Sequence, residues 1–238
     1  MAEIVTLGSL LYEGTPAKVG MTNESLGDVE LSIGNTRNGD PIQWIVDGNK
    51  LIADRILVFG VSGTQLSQQG LDNGKIMQID GSYYLCRLLH GGENKDDPNE
   101  WDDLLARMGT PHRIWHHKGR FWCQELKNSG LLFRVCRGGR IGADWGTYFY
   151  AMADPLIGWR PVLEKLQHGS RITKDAIGRK VRIIDADDPY LHIEGTLTGF
   201  SDYDLEVSAL SWSVSPKWIV RTSGISVVNR EAVFYVGI

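Results

Sequence analysis

Glycines divide much of this chain into short runs of β-prone residues, and this feature limits the possible folds more than any other. The sequence contains 28 glycines, and several of them follow Asp or Lys between two apolar runs. Such pairs are typical of β-hairpin turns, so the chain is predicted to be mainly sheet. We expect hairpins around the turns 47–49, 80–81 and 118–119, with flanking strands at 42–46 and 50–59, 75–79 and 82–89, and 114–117 and 120–124.

One strong helix is predicted directly after Asn99. This residue supplies an N-cap acceptor, acids occupy the first turn where the helix dipole favours them, and Gly109 is expected to end the helix. A weaker helix is predicted over 64–69. The strong helix should bury one apolar face against the sheet, because four residues follow helical spacing: Trp101, Leu104, Leu105 and Met108.

The segment 138–156 is predicted to be an irregular surface loop. It separates two β-prone runs, 131–137 and 157–164, and shows no period of a strand or a helix. Long irregular segments in compact domains are usually functional or disordered, and four aromatic residues within six positions argue against disorder. We expect a rigid loop that binds a ligand. The candidate ligand-binding residues are Arg140, Asp144, Trp145, Thr147, Tyr148, Tyr150 and Asp154.

Two arginines bracket this segment, Arg137 before it and Arg160 after it. Arginines in an aromatic-rich fold commonly donate to backbone carbonyls or stack on Trp. We therefore predict that both brace the loop, with direct ligand contact as the alternative. Phe149 is the aromatic residue of the segment most expected to fill the core instead of binding a ligand.

Three short motifs occur in a suggestive order: Asn99-Glu100-Trp101-Asp102, Arg137-Gly138-Gly139 and Gly158-Trp159-Arg160-Pro161. Together they resemble the C-type-lectin fold of formylglycine-generating-enzyme-like proteins and of retroelement-diversified variable proteins of phage and bacteria. More loosely, the chain resembles phage structural proteins of gut bacteria in four short runs: Asn35-Thr36-Arg37, Ile42-Gln43-Trp44, Asp54-Arg55 and Tyr84-Leu85-Cys86-Arg87-Leu88-Leu89. The resemblance covers roughly residues 30–165. It implies an α+β fold in which residues 1–165 form a C-type-lectin-like ligand-display domain of mixed sheet with an N-terminal β extension.

The character of the sequence changes at a polar joint near residues 165–170. Short strands separated by Gly and Asp turns follow, at 180–184, 192–198, 204–209, 217–220 and 232–236. We predict that residues 166–238 form a small all-β module, either an SH3-like roll or a barrel. About seventy residues suffice for such a module, although its core is marginal.

Two groups of residues contain metal-ligand types, but neither is predicted to hold a metal ion. His112, His116 and His117 lie within six residues, but strand neighbours point to opposite faces and no further ligand has finger-like spacing. The acidic run 96–100 offers oxygens to calcium, but a calcium cage needs about six to eight of them. Helix capping explains Asn99 and Glu100 without an ion.

Catalysis is not predicted. The formylglycine-generating relatives use cysteines near the carboxyl end of the lectin-like domain, whereas no cysteine follows Cys136 in this chain. The three cysteines, Cys86, Cys123 and Cys136, each lie in an apolar run, so we expect buried free thiols. No catalytic residue, metal or other cofactor is assigned.

The net charge and the hydropathy of the chain limit the classes of partner that it is expected to bind. The formal net charge is −4, which does not suit a broad nucleic-acid-binding face. No apolar run is long enough to span a membrane, and the N-terminus lacks a signal peptide. We therefore expect synthesis in the bacterial cytoplasm, no membrane insertion and no nucleic-acid partner.

The resemblance and the loop lead to one main hypothesis and one rival. The main hypothesis is a non-catalytic phage or phage-like virion protein of the tail or receptor-binding apparatus, which presents loop 138–156 to a host-surface protein or glycan. A homo-oligomer in contact with other virion subunits would suit it, because multivalency raises avidity. The rival is a structural virion protein, such as a capsid decoration or baseplate component, without a host ligand. A formylglycine-generating-like oxidase is a lesser alternative.

Overall fold

A computed structural model describes residues 3–108, 119–128, 132–139, 142, 144–188, 191–212, 219–222 and 224–237. The chain divides into two compact units, Met1–Leu163 and Glu164–Ile238. The sequence predicts the boundary between the two domains after residue 165, two residues beyond the observed one. Both units are built mainly from β-strands in their described parts, so the prediction of a mainly-sheet protein is confirmed.

The described elements of the first unit are short strands and two α-helices, α1 (Gly63–Gln68) and α2 (Glu100–Met108). Both helices lie where the sequence predicted them. The strands that begin in this unit are β1 (Ile4–Tyr12), β2 (Thr15–Pro16), β3 (Met21–Thr22), β4 (Leu31–Gly34), β5 (Pro41–Asp47), β6 (Lys50–Ala53), β7 (Val58–Phe59), β8 (Lys75–Ile79), β9 (Ser82–Leu88), β10 (Arg120–Asn128), β11 (Leu132–Gly138), β12 (Trp145–Phe149), β13 (Ile157–Trp159) and β14 (Pro161–His168).

Two of the predicted hairpins are confirmed in the described residues. Strands β5 and β6 pair with Asp47 opposite Lys50, and β8 and β9 pair with Ile79 opposite Ser82. In the second hairpin both turn residues have positive φ, 49° for Asp80 and 77° for Gly81, as a two-residue turn of this kind requires. Of the third hairpin, the first strand and Lys118 lie outside the described residues, and its second strand is β10.

A second sheet carries the candidate site. In the described part of the chain its strand order is β12-β11-β10-β13-β7-β3. One face packs into a core cluster that includes Trp122 and Trp159, and the other packs into a cluster that includes Trp101, Leu104 and Phe121. The predicted apolar face of α2 is therefore confirmed: Trp101 and Leu104 are buried, and Leu105 and Met108 pack against them.

At two places the chain passes between the larger sheet and this second sheet within a segment that was predicted to be one strand. The predicted strand 50–59 is in fact β6 and β7, which belong to different sheets. The predicted run 157–164 is interrupted at Arg160, between β13 and β14. Each run contains charged residues at the break, Asp54-Arg55 in the first and Arg160 in the second, and these residues mark where the chain changes sheets.

The second unit contains strands and short 3-10 turns in its described part, with strand order β18-β19-β17-β16-β15-β20. The end of β14 pairs with β20 through Gln167 and His168. Sequence analysis missed β19 and otherwise located each strand to within a few residues. The strands are β15 (Lys180–Asp185), β16 (His192–Phe200), β17 (Asp204–Trp212), β18 (Ile219–Thr222), β19 (Ile225–Asn229) and β20 (Val233–Gly237).

Candidate functional site

A small cleft in the first unit brings together three of the predicted ligand-binding residues. Its volume is about 230 Å³. Asp144, Tyr148 and Asp154 contribute to its walls, together with Arg120, which sequence analysis had not selected. Among the described residues, the cleft is lined by Arg120, Gly139, Asp144, Tyr148, Asp154, Leu156 and Ile157. We refer to this site as the Arg120 cleft.

Arg120 is the central cation of the Arg120 cleft. It is the first residue of β10, and its guanidinium carbon lies 5.2 Å from the centre of the Tyr148 ring. The nearest carboxylate oxygen, Oδ2 of Asp144, is 3.8 Å from Nη2, which is too long for a hydrogen bond. The Nε atom is buried without a partner. Within the described residues, the Arg120 side chain therefore donates no hydrogen bond, although its side chain is only 32% exposed.

Gly139 lets Asp144 approach Arg120. The φ angle of Gly139 is +103°, and a Cβ built on it would lie 2.8 Å from Oδ2 of Asp144 and 3.4 Å from Nε of Arg120. The Gly139 amide donates to the carbonyl of Gly119 across a distance of 3.0 Å. A side chain at this position would be strained and would push Asp144 away. The second glycine of the Arg-Gly-Gly motif is thus part of the cleft wall.

Asp154 is held in place by the turn that precedes β13. Its Oδ1 accepts a hydrogen bond of 2.7 Å from the amide of Leu156, and its carbonyl accepts one of 2.9 Å from the amide of Ile157. The side chain of Leu156 is 64% exposed, so an apolar group lies beside this carboxylate at the cleft. Both acids of the cleft come from the predicted 138–156 segment.

The prediction that 138–156 is an irregular display loop is wrong for its central part, because residues 145–149 form strand β12. This strand pairs with β11 in regular antiparallel register, with Trp145 opposite Arg137 and Phe149 opposite Phe133. Trp145 packs against the cluster that contains Trp101, whereas Tyr148 packs against the cluster on the other face. Aromatic side chains on both faces remove the alternation by which a half-buried strand is recognised.

The remaining candidates of the segment do not line the Arg120 cleft. Trp145 donates from Nε1 to the carbonyl of Gly92 at 3.3 Å. Thr147 follows two residues later on the strand and shares the face of Trp145. Tyr150 packs against the core, and its carbonyl accepts from the Thr64 amide. Arg140 lies outside the described residues.

Arg137 braces a different loop from the one predicted. Its Nε donates to the carbonyl of Gly91 at 2.7 Å, and Nη2 donates to the carbonyl of Lys95 at 3.1 Å. Nη1 lies 2.9 Å from Oδ2 of Asp102 on helix α2. The buried guanidinium therefore ties the segment before α2, and α2 itself, to strand β11.

Arg160 joins the two places where the chain changes sheets. It donates to the carbonyls of Ala53 and Asp54, each at 2.9 Å. Its guanidinium carbon lies 4.3 Å from the centre of the Trp101 ring and 5.3 Å from that of Phe121. Burial lowers the pKa of this fully enclosed guanidinium. Carbonyl and aromatic contacts were the expected type, but their target is the end of β6 and not the 138–156 segment.

The acidic run that offered calcium ligands is occupied by helix capping and ion pairing. Oδ1 of Asn99 accepts a 2.8 Å hydrogen bond from the Asp102 amide, which is the predicted N-cap. Glu100 receives hydrogen bonds of 2.7 and 2.8 Å from Arg87, and it also pairs with Lys50. Burial raises the pKa of Glu100, but the Arg87 hydrogen bonds and charge outweigh it and hold that pKa well below its usual range.

The described residues contain no metal-binding group, and the cysteines there are buried. No group of three or more His, Cys, Asp or Glu side chains there is arranged to hold a metal ion. The predicted histidine cluster, His112, His116 and His117, lies outside those residues. The three thiols are buried and unpaired, as predicted. Burial raises the pKa of Cys86 to about 12 and raises those of Cys123 and Cys136 well above the ordinary value.

Sequence analysis missed Arg120 because it was assigned to an ordinary β-prone run. One signal was present: Arg120 follows a glycine in a predicted turn, and this turn precedes the strand that pairs with the Arg-Gly-Gly strand. In the structure Arg120 lies opposite Gly138, and a Cβ on the next glycine, Gly139, would lie 3.4 Å from Nε of Arg120. Recognising this required the register of β10 against β11.

Comparisons with known proteins give no family for the chain: no protein-family model, no curated protein and no solved structure matches it. Among the described residues, none of the helices combines the length and apolarity needed to cross a membrane. The functional conclusion therefore depends on the Arg120 cleft and on the motifs of the sequence.

Proposed function

We propose that this chain is a non-catalytic virion protein of a phage or phage-like particle, in the tail or receptor-binding apparatus, and that it binds a host-surface ligand through the Arg120 cleft. The observation that carries the proposal is the state of Arg120. Its guanidinium is held against Tyr148, yet its side chain donates no hydrogen bond within the described structure. Donors that are positioned but unused, beside two carboxylates, are what a binding site offers a ligand.

The C-type-lectin-like assignment is part of this proposal. The three motifs that carry the resemblance meet in space: Arg160 stacks on Trp101, and Arg137 pairs with Asp102 of the same helix. These contacts explain why the motifs occur together in one chain, since each stabilises the packing of α2 on the second sheet. They support a common architecture with the lectin-like families, and an SH3-like or barrel form of the second unit remains the corresponding proposal for residues 166–238.

The state of the thiols supports a non-catalytic role. Oxidase chemistry of the formylglycine-generating type needs a reactive thiolate, and the thiolate is the reactive form of cysteine. Here burial disfavours the thiolate of all three cysteines. We therefore favour binding over the oxidase alternative.

Binding of the purified full chain to bacterial cells tests the proposal. The labelled chain is applied to a panel of strains, and bound fluorescence is measured by flow cytometry. We expect Arg120→Ala to lower cell affinity by about tenfold or more, because central arginines often dominate interfaces. The matched control is Arg107→Ala. Arg107 is a half-exposed arginine on helix α2 that pairs with Asp47. Equal binding by the parent chain and Arg120→Ala would exclude the cleft as the binding site.

A structural virion protein without a host ligand is the second candidate, and one observation favours it. Strands β10 to β12 and the turn after them carry exposed apolar side chains that would suit contact with another virion subunit. A chain that binds no strain but is incorporated into particles, and loses incorporation when Phe149 and Met152 are made polar, would support this role. The exposed side chains are Leu126, Leu132, Phe149 and Met152.

A further inference from the structure

We infer that the Arg120 cleft takes one uncharged sugar unit of a surface glycan. This inference rests on the proposed function, because it names the ligand class of the same site. It depends on three properties of the cleft: the mixture of charges, the spacing between those charges, and the size and partly apolar character of the walls. The charges disfavour ionic ligands, the spacing suits a hydroxyl group, and the volume disfavours larger organic ligands.

The charges of the cleft favour a neutral ligand. An anion that approached Arg120 would also approach the carboxylates of Asp144 and Asp154, which line the same cleft. A cation that approached either carboxylate would meet the guanidinium. Like charges at close range disfavour binding. A hydroxyl group avoids both penalties, because it accepts a hydrogen bond from a guanidinium and donates one to a carboxylate.

The spacing between Arg120 and Asp144 suits a bridging hydroxyl. Nη2 of Arg120 and Oδ2 of Asp144 are 3.8 Å apart, which is too far for a direct hydrogen bond. An oxygen placed beside both atoms can make two hydrogen bonds of about 2.8 Å each. Gly139 maintains this arrangement, since a Cβ there would lie 2.8 Å from the Asp144 oxygen. Asp154 lines the same cleft and offers a further carboxylate acceptor to the adjacent hydroxyls of a sugar ring.

The size and apolar walls of the cleft suit a single ring. Its volume of about 230 Å³ is below the range of about 300–1,000 Å³ that is usual for sites of larger organic ligands. Leu156 forms part of the wall and is 64% exposed, so it can contact the carbon-bound hydrogens of a sugar. One face of polar groups and one apolar edge match the two surfaces of a pyranose.

Direct titration of the full chain with free monosaccharides tests the inference. We expect neutral hexoses and N-acetylhexosamines to bind in saturation-transfer NMR with a dissociation constant on the order of millimolar, because a single small ring makes few contacts. An anionic sugar such as sialic acid and a cationic one such as glucosamine should bind more weakly. Stronger binding by either charged sugar, or saturation by none of the neutral sugars, would overturn the inference.

Two conservative variants separate loss of binding from loss of folding. Asp154→Asn keeps Oδ1 as the acceptor for the Leu156 amide but removes the charge, and Arg120→Lys keeps the charge but removes the planar donor group. Each should weaken sugar binding by about tenfold without changing the circular dichroism spectrum. Asp103→Asn, an exposed acid on α2, is the matched control and should bind normally. Unchanged sugar binding in both cleft variants would contradict the inference.

Treatment of the target cells distinguishes failure of this inference from failure of the proposed function. Periodate oxidises vicinal diols of surface glycans, and a broad protease removes exposed proteins. We expect periodate to abolish binding of the chain and protease to leave it intact. The reverse result would identify a protein ligand, which refutes the sugar but retains host binding. If untreated cells of every strain fail to bind while free sugars do, the inference holds and the host-attachment role fails.

Discussion

Glu100 joins helix α2 to strands β6 and β9, and its replacement by Gln tests how the fold of the first unit is held. The carboxylate accepts hydrogen bonds from Arg87 and from the His90 amide, the latter at 2.8 Å, and it also pairs with Lys50. The Glu100 side chain is 14% exposed and that of Arg87 is 6% exposed. Glu100→Gln keeps the shape of the side chain and removes its charge.

The expected loss is set by the charge that remains on Arg87. Removal of one partner of a buried ion pair costs about 3–5 kcal/mol, because the other charge stays buried without compensation. Gln retains one acceptor oxygen, so we expect a value near the lower limit, about 3 kcal/mol at pH 7. With a urea slope of about 2 kcal/mol per molar, the unfolding midpoint of the first unit should fall by about 1.5 M.

The pH dependence gives an independent check. The pKa of Glu100 is lowered in the folded chain from its ordinary value of 4.5. Its contribution to the free energy of unfolding is therefore fully present above that ordinary value and is lost as the pH falls below it toward the folded pKa. The difference between the parent chain and Glu100→Gln should be largest near neutral pH and should shrink on acidification.

Urea unfolding followed by tryptophan fluorescence, repeated between neutral pH and pH 3, measures both effects. Glu93→Gln is the matched control, because Glu93 is exposed in the loop before α2, and surface substitutions of this kind usually change stability by less than about 0.5 kcal/mol. A loss below about 1 kcal/mol in Glu100→Gln, or a difference that does not shrink with acid, would refute the view that Glu100 compensates Arg87.

Two further predictions concern the cleft wall and the thiols. Gly139→Ala should destabilise the first unit by about 1 kcal/mol or more and weaken sugar binding. Gly20→Ala is the control, because Gly20 has a φ of +85° with open space around it and should show the backbone strain alone. Equal sugar affinities in these two variants would argue against the Asp144 contact. The thiols are titrated with a chromogenic disulfide at pH 8. The native chain should show no fast-reacting thiol and the urea-unfolded chain should show three, because burial raises the pKa of every thiol in the folded chain. One fast-reacting thiol in the native chain would contradict this prediction.

The local elements could be predicted because their signals are local. The turn at Asp80 and Gly81 needs residues that tolerate positive φ, and helix α2 begins with the Asn99 cap and buries residues at helical spacing. Each signal involves residues a few positions apart, so neither depends on the rest of the fold. The small all-β character of the second unit was predicted for the same reason, since its strands are separated by turn residues.

The candidate site could be predicted only in part. Asp144, Tyr148 and Asp154 were selected from the composition of the 138–156 segment, and they line the Arg120 cleft. Trp145 and Thr147 were selected by the same argument but lie on the other face of β12. Composition identifies residue types that suit binding, but it does not show which of them share a face when a strand is packed on both sides.

The amino-acid sequence by itself determined a mainly-β chain with hairpins, a capped amphipathic helix and three buried thiols, because hydrogen-bonding, backbone and burial preferences act over short distances. Only the tertiary structure decided that Arg160 joins the two sheet crossings and that Arg120 lies opposite Gly138, with its buried Nε unpaired in the described part of the chain. The physical reason is that the pairing register of distant strands places these groups, and register depends on the packing of the whole unit.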